Sequence, residues 1–238
     1  MENIAVVGIA NLFPGSKTPQ AFWQQLLKKQ DNRSQITAAE LGVEPSKYYG
    51  RKGEPDKFYC MYGGYIRDFE FDPGPFLSQG LDKTYLNQLD DLNKWGLYVT
   101  RQALTDAGYW GSEKLHNCGL ILGNLSFPTK TSNHLFLPLY GHVVEDALKQ
   151  LTCAGLQLAN FSSSQTVHAD NALIAGFPSA LLARAAGLGG STFSLDAACA
   201  SSCYSVKLAC DYLHTGKADM MLAGAVSAAD PLFVNMGF

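Results

Sequence analysis

The stretch "STFSLDAACASSCYSVKLACDYLHTGKADMMLAGAVS", residues 191–227, most narrows what this chain can fold into. "STFSLD" reads as a short strand. From Cys199 to about Leu213 the apolar residues recur at helical spacing. "GKADMMLAGAVS" then gives a turn and a second buried strand. Two short apolar strands joined by a helix favour a layered α/β fold around a largely parallel sheet.

The rest of the chain fits that class. Asn3–Ile9, with "IAVV" at its centre, reads as a buried opening strand. A Pro/Gly turn follows at Phe13–Pro19, then a helix to about Lys29 carrying Phe22, Leu26 and Leu27. Residues 31–74 are dense in Gly, Pro, charge and aromatics and read as a surface excursion, with a short strand possible in "GGYIRDFEFD". Asn87–Ala107 has a helical pattern closed by Gly108. "CGLILG", Cys118–Gly123, is a short buried strand and "NLSFPTKTSN" a polar loop. Pro138–Leu151 is a second helical pattern. "NFSSSQTVHA" is another loop. Asp170–Ala186 is an alanine-rich helix that Pro178 kinks or restarts.

Composition removes several function classes. The chain has 238 residues and 47% hydrophobic residues, enough for a sizeable core and too apolar for disorder. The formal charge of -3, with no long basic block, does not suggest a nucleic-acid binder. The N-terminal apolar run is too short to span a bilayer and lacks a basic flank, so neither a membrane span nor a secretory signal is expected. The expected location is cytoplasmic. Six cysteines at irregular spacing do not make a disulfide scaffold. Cys199 and Cys203 stand in CxxxC spacing, but no second pair or nearby histidine completes a metal site, and none is expected.

Cys199, Cys203, Val206, Cys210 and Leu213 fall on one face of one helix. For Cys203 and Cys210 the simplest expectation is a core stripe, since cysteine packs as a small apolar residue. Cys199 differs, because it sits at the first turn. Free backbone N–H groups and the helix dipole there stabilise a thiolate. The small neighbours Ala197, Ala198, Ala200, Ser201 and Ser202 leave room for a substrate. From these residues alone, a nucleophile and a buried structural cysteine both remain open.

"LDAACASSCYSVKLA" resembles the active-site segment of the β-ketoacyl synthases, in which a cysteine in an acidic–small–Ala–Cys–small–Ser–Ser context accepts the acyl chain. "IAVVGIANLFPGSKTPQAFWQQLL" resembles that family's opening strand, turn and helix. "LYVTRQALTDAGY" resembles the helix before its next core strand, and "GKADMMLAGAVS" the strand after its active-site helix. The four segments occur in the family's order and cover the chain. "ARAAGLGGSTFSLDAACASSCYSVKLAC" is most similar to ketosynthases of bacterial polyunsaturated fatty acid synthases, and polyketide synthases share much of the pattern. Ala197 stands where the family often has Thr, Cys203 follows Ser201-Ser202, and Gln88-Leu89-Asp90-Asp91-Leu92 stands where an Asp-Pro-Gln-type motif is common.

The resemblance implies a thiolase-like layered α/β fold, helices around mainly parallel mixed sheets, of which residues 1–238 are roughly the N-terminal half of a duplication. The closing "ADPLFVNMGF" reads as a cut through a domain. It implies Cys199 as the acyl-accepting nucleophile, with the family's two histidines and lysine supplied from its second half. No catalytic histidine is therefore assigned among His116, His134, His142, His168 and His214. His214 lies roughly 20 Å along the helix from Cys199. No tightly bound cofactor is implied. Substrates would be acyl and malonyl thioesters on a phosphopantetheinylated acyl carrier protein. Partners would be that carrier and a homodimer or ketosynthase/chain-length-factor pairing. Phe161 and Phe193 are candidate pocket or interface aromatics, with core packing the stronger reading for Phe193. Alternatives are a non-catalytic chain-length-factor-like partner, which usually lacks the cysteine, a coenzyme A-dependent thiolase-type enzyme, and a purely structural domain with all its cysteines buried.

Overall fold

The computed structural model describes residues 3–152 and 167–237. In chain order its elements are α1 (Pro19–Leu27), β1 (Ser34–Gln35), α2 (Ala38–Leu41), β2 (Tyr62–Gly63), α3 (Gly74–Leu77) and α4 (Lys83–Asn87). There follow α5 (Asp91–Asp106), β3 (Cys118–Asn124), α6 (Lys130–Thr152) and α7 (Phe177–Ala186). The last are β4 (Thr192–Leu195), α8 (Ser201–His214), β5 (Met220–Val226) and α9 (Pro231–Gly237).

The centre is a parallel sheet in the order β4-β3-β5, with Ile121 opposite Phe193 on one side and Ala223 on the other. Every residue of β3 is buried, as a strand flanked on both edges and covered on both faces must be. On one face Leu120 and Leu122 pack with Leu97 of α5 and with Leu181 and Leu182 of α7 in the main core. The opposite face carries α8, which packs on β3 and β5. The result is three layers, helices–sheet–helix.

Local signals set the helix limits. Asp90 caps α5, its carboxylate accepting the Leu92 N–H, so α5 begins four residues later than the apolar pattern predicts. The proline at the start of α7 restarts the chain as a helix after a 3₁₀ turn at Ala169–Ala172. Gly187, at φ 69°, closes α7 in the left-handed region. The expected polar loop at 124–133 is shorter than predicted. α6 starts at Lys130 because Thr129 and Ser132 exchange hydrogen bonds in a capping arrangement, and the helix runs through Pro138.

Residues 31–74 carry order of their own. β1 and β2 pair antiparallel, and Ile36, Leu41 and Phe58 form a separate small core that Leu232 of α9 joins. Thr37 and Glu40 make a reciprocal capping box at α2. Arg67 grips Glu40 at 2.6 Å and also donates to the Gln35 carbonyl at 2.7 Å. The Lys130 ammonium donates to the Ala39 carbonyl, which ties this unit to the start of α6.

The expected buried strand at Asn3–Ile9 is not one. The segment forms no ladder, and Val6, Val7 and Ile9 are 84%, 57% and 60% exposed. It is held from one side only. Gly8 lies so close to α5 that a Cβ there would come 2.4 Å from the Ala103 carbonyl oxygen, and the Ile9 N–H donates to the Asp106 carboxylate at 2.9 Å. Between this segment and β5 runs an open groove of about 2260 Å³. That exceeds the roughly 300–1,000 Å³ of an ordinary small-molecule pocket. β5 consequently pairs only with β3 among the described residues and is half-exposed along its length, not buried as its apolar sequence predicts.

Candidate active site

In open α/β sheets the carboxyl ends of parallel strands are where loops converge to form sites. Here the end of β4 runs through Asp196 and Ala197 into a 3₁₀ turn, Ala198–Ala200, and then directly into α8. Cys199 sits at the middle of that turn, exposed, and lines the groove together with Ala198, Ser201 and Ser202. The turn is tight enough to force Ala198 to φ 49°. A non-glycine residue in the left-handed region costs roughly 1 kcal/mol and persists only where its surroundings enforce it.

Three hydrogen bonds do so. The Asp196 carboxylate accepts the Ala198 N–H at 2.9 Å. The Ser201 hydroxyl accepts the Ala197 N–H at 3.0 Å and donates to the Ala198 carbonyl at 2.7 Å. Ser201 is 5% exposed and rests on β3 at Gly123, where an added Cβ would be 2.8 Å from the Ser201 Cβ. The Ser205 hydroxyl donates to the Ser201 carbonyl at 2.9 Å. No side chain caps the first turn of α8, and the Ser201 N–H is taken by the Ala198 carbonyl within the preceding 3₁₀ turn.

The expected core stripe along α8 is corrected by its surroundings. The face toward the sheet is Ser201, Ser205 and Ala209, each small and buried. Small residues at i, i+4 and i+8 let the helix approach β3 closely. The cysteine face is therefore turned away from the core. Cys203 is exposed, Cys210 is half-buried, and Val206, Cys210 and Leu213 line the groove with Cys199. Among the described residues the buried thiol is Cys118 of β3, whose pKa burial pushes up to about 11.

Of the other candidates, Phe193 is half-buried on β4 with its ring 6.1 Å from that of Tyr212. Phe161 lies outside the described residues. His214 ends α8, at the opposite end from Cys199. His168 caps the turn at Ala169–Ala172, its Nδ1 accepting the Asp170 N–H at 3.2 Å. The structure thus brings no histidine of the described residues into the Cys199 turn. Among the described residues no group of three metal-ligating side chains converges, and no helix is long and apolar enough to cross a membrane.

The sequence reading missed a polar scaffold at the carboxyl ends of β3 and β5. The Asp90 carboxylate also accepts the Thr129 hydroxyl at 2.7 Å, and the Asp90 N–H donates to the Asn171 side-chain oxygen at 2.7 Å. Asn124, at the end of β3, donates to the Ile174 carbonyl at 2.6 Å. Thr129 bridges Ala229, and Asp230 accepts from Asn133 at 2.6 Å. These bonds join the loops after β3 and β5 to the start of α5.

A strand–turn–helix unit with a cysteine in its turn, on a parallel sheet between helix layers, fits the class of thiolase-like condensing domains. The model of the family described as "Beta-ketoacyl synthase, N-terminal domain" matches residues 1–232, and the chain belongs to that family. The chain is 28% identical to one polyunsaturated fatty acid synthase polypeptide of Thraustochytrium sp., covering 100% of this chain and 11% of that protein. With a second polyunsaturated fatty acid synthase polypeptide of the same organism it shares 29% identity, over 99% of this chain and 8% of the relative. Among solved structures it is similar to a "PfaC Keto synthase-Chain length factor" protein, with 70% identity, a TM-score of 0.91 and coverage of 100% of this chain and 26% of that one. A ketosynthase from module 6 of the bacillaene synthase of Bacillus subtilis, at 21% identity and a TM-score of 0.66, shares the fold. The chain spans about a tenth of the length of these curated relatives and a quarter of the first solved one.

Proposed function

We propose that Cys199 is the acyl-accepting nucleophile of a β-ketoacyl-[acyl carrier protein] synthase acting in polyunsaturated fatty acid or polyketide biosynthesis. The observation that carries this is an exposed cysteine on a strained turn at the carboxyl end of a parallel strand, opening on a groove. Membership of the β-ketoacyl synthase family supports it, as do the printed names of the synthase relatives. The retained thiol favours this reading over a non-catalytic partner.

In the proposed reaction the Cys199 thiolate attacks the carbonyl of an acyl thioester, and the negative charge moves to the carbonyl oxygen. The backbone N–H of Cys199 is the proposed donor to that oxyanion. Collapse expels the carrier thiolate, which takes up a proton, and leaves the acyl group on Sγ. A malonyl thioester then loses carbon dioxide. Its enolate carbon bonds to the acyl carbonyl and expels the Cys199 thiolate. Groups that assist decarboxylation are not among the described residues of the Cys199 turn and would be supplied from outside it. The partners would be an acyl carrier protein and either a second ketosynthase or a chain-length-factor domain.

The test is intact-mass measurement after exposure to an acyl-carrier thioester. A mass gain of one acyl group that disappears in Cys199→Ala supports the reading. A gain that survives the substitution places the acyl group elsewhere and defeats it.

A further inference from the structure

We infer that Ser201 is a positioning residue for the Cys199 turn, acting by clamping Ala198 in its left-handed conformation. This rests on the reading of Cys199 as the acyl acceptor. The bonding pattern singles Ser201 out. Its one hydroxyl serves both sides of the strained residue, accepting from the Ala197 N–H at 3.0 Å and donating to the Ala198 carbonyl at 2.7 Å. The Ala198 carbonyl lies in the peptide unit directly after the Ala198 Cα and the Ala197 N–H one unit further back along the chain, so the one hydroxyl spans the residue whose φ of 49° an alanine does not adopt on its own. Asp196 adds a bond to the Ala198 N–H, but Asp196 is exposed and competes with water for it.

Ser201 itself is fixed. It is 5% exposed, its carbonyl is held by Ser205, and β3 abuts it at Gly123. The clamp therefore transmits the position of the sheet to the backbone that carries Cys199. An acyl-transfer site needs this more than a simple thiol does. Acylation requires Sγ and the oxyanion donor to keep a fixed relation to one carbonyl group, whereas alkylation requires only an accessible thiolate.

The experiment compares wild type, Ser201→Ala, Ala198→Gly and the double substitution. Two rates are measured at Cys199 by peptide mass spectrometry, acylation by an acyl-carrier thioester and alkylation by iodoacetamide. Ser201→Ala is expected to slow acylation by about tenfold or more while alkylation stays within about twofold. Glycine adopts a positive φ freely, so Ala198→Gly in the Ser201→Ala background is expected to restore most of the lost acylation. Equal acylation by wild type and Ser201→Ala, failure of glycine to rescue, or a parallel loss of both rates would overturn the inference. Amide hydrogen exchange at 197–200 provides a readout independent of acylation. Should wild type accept no acyl group, the reading of Cys199 fails, and the clamp is judged on exchange alone. Faster exchange in Ser201→Ala, reversed by Ala198→Gly, sustains the clamp, and unchanged exchange refutes it.

Discussion

Replacing Gly123 by alanine tests whether the turn is built on close contact between α8 and the sheet. A Cβ at 123 would stand 2.8 Å from the Ser201 Cβ, 2.9 Å from the Ser201 carbonyl carbon and 3.0 Å from the Ala225 Cβ. All three are backbone or Cβ atoms, so no flexible side-chain end can swing aside. Ordinary contact begins at 3.4 Å, and Ser201 must retreat by about 0.6 Å in a close-packed layer. Overpacking of this kind costs about 1–3 kcal/mol, while removing a strand glycine returns roughly 0.5–1 kcal/mol. The packing cost wins, by about 1–2 kcal/mol, which lowers Tm by roughly 2–8 °C in a chain of this size. Gly224→Ala is the control, because a Cβ at Gly224 of the neighbouring strand meets nothing within 4 Å. Differential scanning calorimetry should show a lower Tm for Gly123→Ala and an unchanged or slightly raised Tm for Gly224→Ala. Identical melting of the two variants would refute the reasoning.

Leu182, 1% exposed in the main core, should lose about 2–5 kcal/mol on Leu182→Ala, checked by urea unfolding. Glu40 is held at a pKa of about 2, below its ordinary 4.5, first by the hydrogen bond from Arg67. Its contribution is fully present above pH 4.5 and is lost as pH falls from there toward 2. Screening at this half-open ion pair reduces it to on the order of 1 kcal/mol. The stability difference between wild type and Glu40→Gln should therefore shrink over that window in denaturant titrations at stepped pH. The Cys118 thiol, buried and pushed up to about 11, should resist iodoacetamide at neutral pH while Cys60, Cys199 and Cys203 are labelled, as peptide mapping of the native protein would show.

The sheet was legible wherever a strand's own residues decide its burial. "CGLILG" is apolar at every position because β3 has neighbours on both edges and both faces. "IAVV" has the same composition and lies exposed, because an apolar run specifies that a strand can be covered but not what covers it. The spacing correctly placed Cys203 to Leu213 along one helix, but Cys199 lies in the 3₁₀ turn before α8, and Cys203 and Cys210 were given the wrong orientation. The deciding signal lay on the other face, where Ser201, Ser205 and Ala209 are small enough for intimate contact with β3. Serines that hydrogen-bond locally can be buried, so polarity alone misleads there. The place of Cys199 between a strand and a helix was legible in the sequence, and its chemistry is what the proposal above puts to the test. The strain at Ala198 follows from how Ser201 sits against β3, which no local pattern encodes. The Asp90–Thr129 and Asn171–Asp90 bonds join residues 39 and 81 positions apart and likewise had no local signature.

The most direct test of the account is acyl transfer to Cys199. The protein would be incubated with an acyl-carrier thioester, digested and mapped by mass spectrometry beside Cys199→Ala. The account predicts one acyl group on the peptide containing Cys199 and none in the variant. An acyl group on any other cysteine, or an unmodified Cys199 in protein whose melting is cooperative, would contradict it.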